Sequence, residues 1–478
     1  MAQILNADLD PTRIGLVAPW MSRQRWYTAK GATPRPTLLD SWRLDDPAGE
    51  VGIETLVVAD DAGPEPVVYQ VPVTYRDAPL EGAEHALIGT TEHSVLGTRW
   101  VYDGPHDPVY VAQLVALLRG RAAAQSGHVS DTPEPGVVGA PHPAWPDEPV
   151  VGTTRVLAGE QSNTSIVVEP GDGGGGGGGG GGEGGDRHPV IVKLFRTLAA
   201  GDNPDVVLQG ALAEAHSPFV PAGVGHVAGA WDRADGQGRD VGQLAVAQEY
   251  LPGTGDAWRV CLEEVAAGRS FAEPARALGA ATAHVHAALA QVLPTVPATA
   301  DAVTARVAAM RRRVAGAVSE APGLSGLEDR VDAALDRAQQ ADWPALQRIH
   351  GDYHLGQVLH VPGRGWVLID FEGEPLRPLA ERSEPDSPMR DVAGMLRSID
   401  YAGASVEGDT RAWVDEAQAA FLDGYAGVAD DPRERPDLLL AHLLDKAAYE
   451  VVYEARNRPT WLTIPTTAID RLLEEAPA

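Results

Sequence analysis

The run His350-Gly351-Asp352-Tyr353-His354-Leu355-Gly356-Gln357 is followed, after a short turn, by Val367-Leu368-Ile369-Asp370-Phe371-Glu372. This places one aspartate on a loop, a metal-ligand type five residues later and a second aspartate at the end of an apolar strand. Phosphoryl transfer from ATP needs such a set: a carboxylate to orient the attacking hydroxyl, and oxygen ligands to hold Mg²⁺ against the phosphates. On this reading Asp352 accepts or orients the proton of an attacking sugar hydroxyl. Gln357 and Asp370 bind Mg²⁺. Glu372, two residues on along an extended chain, shares the side of Asp370 and is placed for a second metal or the sugar. Singly, each of these is better read as an exposed polar loop residue. Their order, with a strand between them, carries the chemistry.

The elements that must position them can be read upstream. Lys193 stands in the apolar run Val190-Ile191-Val192-Lys193-Leu194-Phe195, and a lysine in the middle of such a strand needs a partner; ATP phosphates would supply it. Before it, Gly159-Glu160-Gln161-Ser162-Asn163-Thr164-Ser165 lies between strand-like runs and is the candidate phosphate loop. An ordinary polar turn is the competing reading, and the lysine on the following strand decides against it. The ten consecutive glycines at 173–182 are not a phosphate cradle. A cradle needs two or three glycines fixed between ordered elements, whereas ten in a row maximise chain entropy. They read as a loose extension of a hairpin turn.

Elsewhere, residues 52–59 and 66–74 read as strands and 107–119 as a helix opened by Asp-Pro. The Pro-, Gly-, Ser- and Ala-rich stretch 122–147 reads as a linker or loose connection. Helical periodicity fills 271–292, 303–318, 327–340, 412–425 and 438–453. His284 and His286 are satisfied helix residues with no assigned role. The 478 residues suffice for two or three domains. Lys plus Arg (38) against Asp plus Glu (67) gives a net charge of −29, which repels nucleic acid and anionic lipid. Small-molecule sugar and ATP are the expected partners, with a monomer or small homo-oligomer as the assembly. The single cysteine, Cys261, is expected to be a buried apolar side chain and fits a reducing cytoplasm. Residues 1–13 lack a secretory pattern, and no stretch offers the roughly 20 apolar residues that span a bilayer.

Longer motifs carry a resemblance. They are Arg23-Gln24-Arg25-Trp26-Tyr27, Glu160-Gln161-Ser162-Asn163-Thr164, Ile369-Asp370-Phe371-Glu372-Gly373-Glu374-Pro375, Arg390-Asp391-Val392-Ala393-Gly394-Met395-Leu396-Arg397-Ser398, and Tyr449-Glu450-Val451-Val452-Tyr453-Glu454-Ala455-Arg456-Asn457-Arg458-Pro459-Thr460-Trp461. The chain resembles the protein-kinase-like small-molecule kinases, which include the aminoglycoside phosphotransferases. Within them it is similar to actinobacterial maltokinases and the related glucosamine kinases. The resemblance implies an α+β, bilobal protein-kinase-like fold: an N-terminal cap domain (1–125), a β-rich N-lobe (126–252) and a helical C-lobe (253–478). It implies that Lys193 holds the ATP α- and β-phosphates, with Ser162, Asn163 and Thr164 in the phosphate loop. Gln248, Glu249 and Tyr250 would form the hinge that grips adenine. Asp352 would be the catalytic aspartate, and Gln357 and Asp370 the Mg²⁺ ligands. Tyr449, Glu450, Tyr453, Glu454, Arg456 and Trp461 would wall the sugar site, since aromatic faces beside charged groups suit sugar rings and hydroxyls.

Two departures bear on function. Where maltokinases usually offer a glutamate to pair the strand lysine, this chain reads Val206-Val207-Leu208-Gln209, leaving Asp205 and Glu214 as candidates. Gly255-Asp256-Ala257-Trp258 and the cap segment 99–108 resemble the glucosamine kinase branch more closely. The expectation is an ATP- and Mg²⁺-dependent kinase making glucosamine 6-phosphate. The alternatives are maltose 1-phosphate, an inactive nucleotide-binding scaffold, or a kinase joined to an independent glycan-binding module at 1–120.

Overall fold

The computed structural model describes residues 8–143, 145, 151–158, 162–171, 188–374 and 377–475. The chain forms two compact units, Met1–Val206 with Ala222–Pro252, and Val207–Pro221 with Gly253–Ala478. The expected α+β class is observed: strands dominate the first and helices the second.

In the first unit, one antiparallel sheet has the order Leu9–Asp10, Leu87–His93, Gly97–Asp103, Val67–Arg76, Gly52–Asp60, Pro36–Leu44 and Gln125–Ser126. The second has the order Val137–Pro141, Gly223–Asp232, Arg239–Glu249, Val190–Phe195, Asn163–Pro170 and Val151–Val156. The helix Pro108–Leu118 begins where the sequence suggests: the Asp107 side chain accepts from the Val109 N–H and proline fills the first helical position. Its Tyr110, Val111 and Leu114 pack in one apolar cluster with Trp42 of the first sheet and Val192, Leu194 and Leu244 of the second. The short strand Thr197–Leu198, just after Lys193, pairs with Val67–Arg76. The first 120 residues therefore share a core with the second sheet and pair with a strand from the segment after Lys193, so they are not a compact unit of their own. The stretch read as a linker supplies an edge strand, Val137–Pro141. Its glycine and proline suit that place. A Cβ on Gly139 would lie 1.6 Å from the Leu117 carbonyl oxygen, and proline is tolerated at a sheet edge.

The second unit contains the helices Ala257–Ala266, Ala272–Val292, Ala300–Glu320, Glu328–Gln340, Met389–Ala404, Arg411–Ala426, Pro436–Asn457 and Thr463–Glu475. A small sheet of Gly255–Asp256, Val358–Val361 and Gly365–Leu368 carries the candidate chemistry at its ends. Met389–Ala404 is buried on nearly every side, charged residues Asp391, Arg397 and Asp400 included. Among the described residues no helix is long and apolar enough to cross a membrane.

Two helices meet backbone to backbone. A Cβ on Gly279 would lie 1.9 Å from the Phe421 carbonyl oxygen, and one on Gly424 would lie 1.9 Å from that of Arg276. Alanine normally stabilises an exposed helix over glycine by about 1 kcal/mol. Here Gly279→Ala should instead destabilise by about 1–3 kcal/mol, because the crossing must open. A thermal melt of the variant at or above the wild-type midpoint would refute this packing.

Candidate active site

The loop around Asp352 is held from behind by one carboxylate. Asp391, in the first turn of Met389–Ala404, accepts from the backbone N–H of His350 (2.8 Å) and of Gly351 (2.9 Å). Its Oδ2 also lies 3.0 Å from Nε2 of His286, whose Nδ1 is 2.9 Å from the Tyr425 hydroxyl. His286 is thus a satisfied buried histidine, as expected, and it braces the loop through Asp391. His284 is exposed and stacks on Phe219. Burial alone would raise the Asp391 carboxyl, but the His286 contact and the Gly351 N–H hold it below the ordinary value. Further along, the Leu355 N–H donates to Ser398 Oγ at 3.1 Å, and the Tyr353 and Thr282 hydroxyls meet at 2.8 Å. Gly394 admits the Tyr353 carbonyl, which would sit 2.5 Å from any Cβ there.

The second aspartate is tied to this loop. The His350 ring stacks on Phe371 at 4.6 Å, and its Nε2 donates to the Ile369 carbonyl at 3.0 Å. Gln357 donates through Nε2 to Asp370 Oδ2 at 2.9 Å. The chain does not continue extended from Asp370 to Glu372. Asp370 has φ +67° and a turn follows, a conformation uncommon for residues other than glycine and concentrated at functional sites. The turn nonetheless leaves carboxylate oxygens of Asp370 and Glu372 within 4.8 Å of one another. Two carboxylates so placed are oxygen donors of the kind Mg²⁺ takes, while Gln357 turns its amide nitrogen to Asp370.

Sequence reasoning missed Lys446. It lies in Pro436–Asn457 among the buried Leu444, Ala447 and Ala448. Its Nζ is 3.2 Å from Asp352 Oδ1 and 3.3 Å from Glu374 Oε1. Burial opposes its charge, but the two carboxylates push the ammonium above its usual value. Glu374 in turn meets Arg377 (2.8 Å) and Arg390 (2.7 Å). Burial works against its charge too, and Arg390, Lys446 and Arg377 hold it far below the carboxylate range. A lysine inside an apolar helical stripe was the available signal.

The residues of the expected sugar wall have different partners. Lys446 Nζ lies 4.8 Å from the Tyr449 ring centroid, and that ring stacks with Tyr453 at 6.5 Å, so these two tyrosines are continuous with Asp352. Glu450 is buried and accepts from Arg397 at 2.7 and 2.9 Å. Glu454 accepts from Arg458 at 2.6 Å, and Trp461 stacks on Tyr401. Arg456 is exposed and pairs with Glu320 at 2.6 Å.

In the first unit, Lys193 Nζ lies 3.3 Å from Asp205 Oδ2, so Asp205 fills the role left open between it and Glu214. Thr164 and Asn163 are buried opposite Leu194 and Phe195, and Ser162 is exposed. Thr164 Oγ1 accepts from Nε of the buried Arg196 at 2.8 Å, and Arg196 is paired with Asp103 at 2.7 Å. Gln248 pairs with Ile191 in the sheet. The N–H groups of Glu249 and Tyr250 donate to Ala222 and Pro189, and the Tyr250 hydroxyl accepts from Arg155 at 2.9 Å. Residues 159–161 of the phosphate-loop candidate and the glycines 173–182 lie outside the described residues.

Residues 157–438, more than half of the sequence, match the phosphotransferase enzyme family. The chain belongs to that family. Residues 20–107 match the maltokinase N-terminal cap domain. A glucosamine kinase of Streptacidiphilus jiangxiensis is 34% identical over 259 residues, a match covering 48% of this chain and 58% of that protein. A glucosamine kinase of Mycolicibacterium smegmatis is 29% identical over 401 residues, covering 79% and 90%. Among solved structures, a glucosamine kinase in one crystal form aligns with a TM-score of 0.64 at 25% identity, over 92% of this chain and 94% of that one. A glucosamine kinase in complex with glucosamine, ADP and inorganic phosphate aligns with a TM-score of 0.65 at 24% identity, over 97% and 99%. The kinase-like fold expected from the motifs is thus shared with solved glucosamine kinase structures.

Asp391→Asn keeps the shape but turns one acceptor oxygen into a donor facing other donors. It should cost about 2–3 kcal/mol and slow turnover. The folded carboxyl titrates below the unfolded value of roughly 3.9, so its contribution is complete above that pH and is lost as pH falls through the folded value. The stability gap between wild type and variant should therefore shrink only under acid. A gap that stays constant as the pH is lowered below the ordinary carboxylate range would contradict the assignment.

Proposed function

We propose that the protein is an ATP- and Mg²⁺-dependent sugar kinase that phosphorylates glucosamine at its 6-hydroxyl. The observation that carries this is the placing of Asp352 on a braced loop, tied through Lys446 to the stacked Tyr449 and Tyr453. Two relatives named glucosamine kinase support the choice of sugar.

In this reading Asp352 takes the proton of the attacking hydroxyl, whose oxygen bonds to the γ-phosphorus as the bond to ADP breaks. Gln357, Asp370 and Glu372 would hold Mg²⁺, which neutralises charge on the phosphates. Lys193, kept extended by Asp205, binds the α- and β-phosphates. Ser162, Asn163 and Thr164 belong to the phosphate loop, and residues 248–250 to the adenine hinge. The tyrosines offer apolar faces to the sugar ring, and Glu450, Glu454, Arg456 and Trp461 complete the sugar wall. Residues 1–125 act as cap, 126–252 as nucleotide lobe, and 253–478 as the lobe of catalysis and sugar binding. The enzyme works in the cytoplasm, where ATP is supplied. The scaffold reading rested on a missing carboxylate beside Lys193, and Asp205 at 3.3 Å removes that support. Maltose is the second reading, favoured by the cap match over residues 20–107.

An ADP-release assay with Mg-ATP against glucosamine, maltose, glucose, N-acetylglucosamine and kanamycin tests the proposal. Turnover should be strongest on glucosamine. Turnover on maltose alone would reassign the substrate, and silence on every sugar with ATP still bound would overturn the kinase reading.

A further inference from the structure

A carboxylate that must receive a hydroxyl is a hazard in a site for a cationic amino sugar. The substrate's own ammonium is the stronger partner for it, and a sugar bound that way presents no hydroxyl to be phosphorylated. The surroundings of Asp352 answer this. Its side chain is 20% exposed and therefore reachable, yet its Oδ1 is already taken by Lys446 Nζ at 3.2 Å. Oδ2 accepts no hydrogen bond among the described residues. Lys446 is not a mobile surface lysine that a substrate could displace. It is 14% exposed, shares its ammonium with Glu374 at 3.3 Å, and lies against the Tyr449 ring. Glu374 is itself fixed by Arg377 and Arg390.

We propose that Lys446 is a specificity-determining residue that orients the sugar: its fixed positive charge neutralises Asp352 towards other cations, so that Oδ2 receives a hydroxyl and the amino group is turned away. The proposal rests on the reading of Asp352 and glucosamine given above. It is a device of repulsion, since like charges brought close together exclude the wrong pose more sharply than added attraction selects the right one. The aromatic faces of Tyr449 and Tyr453 remain available to the apolar face of the ring, which carries no charge to be repelled.

Such a filter leaves a kinetic signature. Lys446→Gln keeps a side-chain N–H donor for Asp352 and Glu374 but removes the charge. Glucosamine should then occupy a non-productive pose, so that kcat and KM for glucosamine fall together by about tenfold while kcat/KM changes little. For neutral glucose, followed as substrate or as competitive inhibitor, affinity should not tighten. A merely structural role would affect both sugars alike, and equal changes for glucosamine and glucose would overturn the proposal. Lys446→Arg, which keeps the charge, should retain the wild-type KM for glucosamine within about twofold. If Lys446→Gln does not fold, that arm still decides, because a tenfold lower KM in Lys446→Arg would contradict a charge-based filter. Wild-type enzyme that ignores glucosamine but phosphorylates another sugar would overturn both the filter and the proposed substrate. Normal wild-type turnover with equal effects on the two sugars would overturn the filter alone.

Discussion

The structure of the site depends on a charge that never meets substrate. Asp391 is 1% exposed, and an isolated carboxylate so buried would be strongly unfavourable. It is tolerated because two loop N–H groups and His286 converge on it. Those same contacts specify where residues 350 and 351 run, and hence where Asp352 begins. The helix that carries Asp391 has no solvent face on which to slide. It receives the loop again at Ser398 and admits it at Gly394. The rigid part of this enzyme is therefore the helix behind the loop, and the loop takes its shape from it.

A second consequence concerns charge. The chain carries a net −29, yet Asp352 and the neighbouring Glu374 are each met by a cation. Asp352 and Glu374 share Lys446, and Glu374 also has Arg377 and Arg390. Global acidity is thus a poor guide to the local field. A bare acidic pocket would attract an ammonium wherever a carboxylate stood. On the proposed reading, neutralising Asp352 in advance leaves hydrogen-bond geometry, rather than net attraction, to choose which group of the sugar arrives.

The sequence disclosed most about residues whose order along the chain mirrors their order in chemistry. Gln357 and Asp370 could be read as a pair from spacing because a short hairpin brings its two ends together, and Gln357 does contact Asp370. Lys193 was legible as a strand lysine, but its partner Asp205 was not singled out over Glu214, since a helix start fixes that choice. Glu372 was read through an extended chain, whereas the left-handed Asp370 and a turn set its position. Lys446 was missed because its meaning lies in a contact 94 residues away with Asp352, and periodicity records only that it sits in an apolar stripe. The helix Met389–Ala404 shows helical apolar spacing at Val392, Met395, Leu396 and Ile399 and was passed over; what that spacing does not show is that Asp391, Arg397 and Asp400 are buried as well. The strand Val137–Pro141 was hidden by turn-forming residues that serve at a sheet edge.

On the proposed mechanism Asp352, held in place through Asp391, takes the proton of the acceptor hydroxyl during phosphoryl transfer. The most direct measurement is a single-turnover assay of Asp352→Asn, with Mg-ATP and glucosamine both saturating and their binding measured separately. The chemical step should slow by roughly 10²–10⁴-fold while both ligands still bind. Transfer at the wild-type rate in that variant would remove Asp352 from the chemistry and contradict the account.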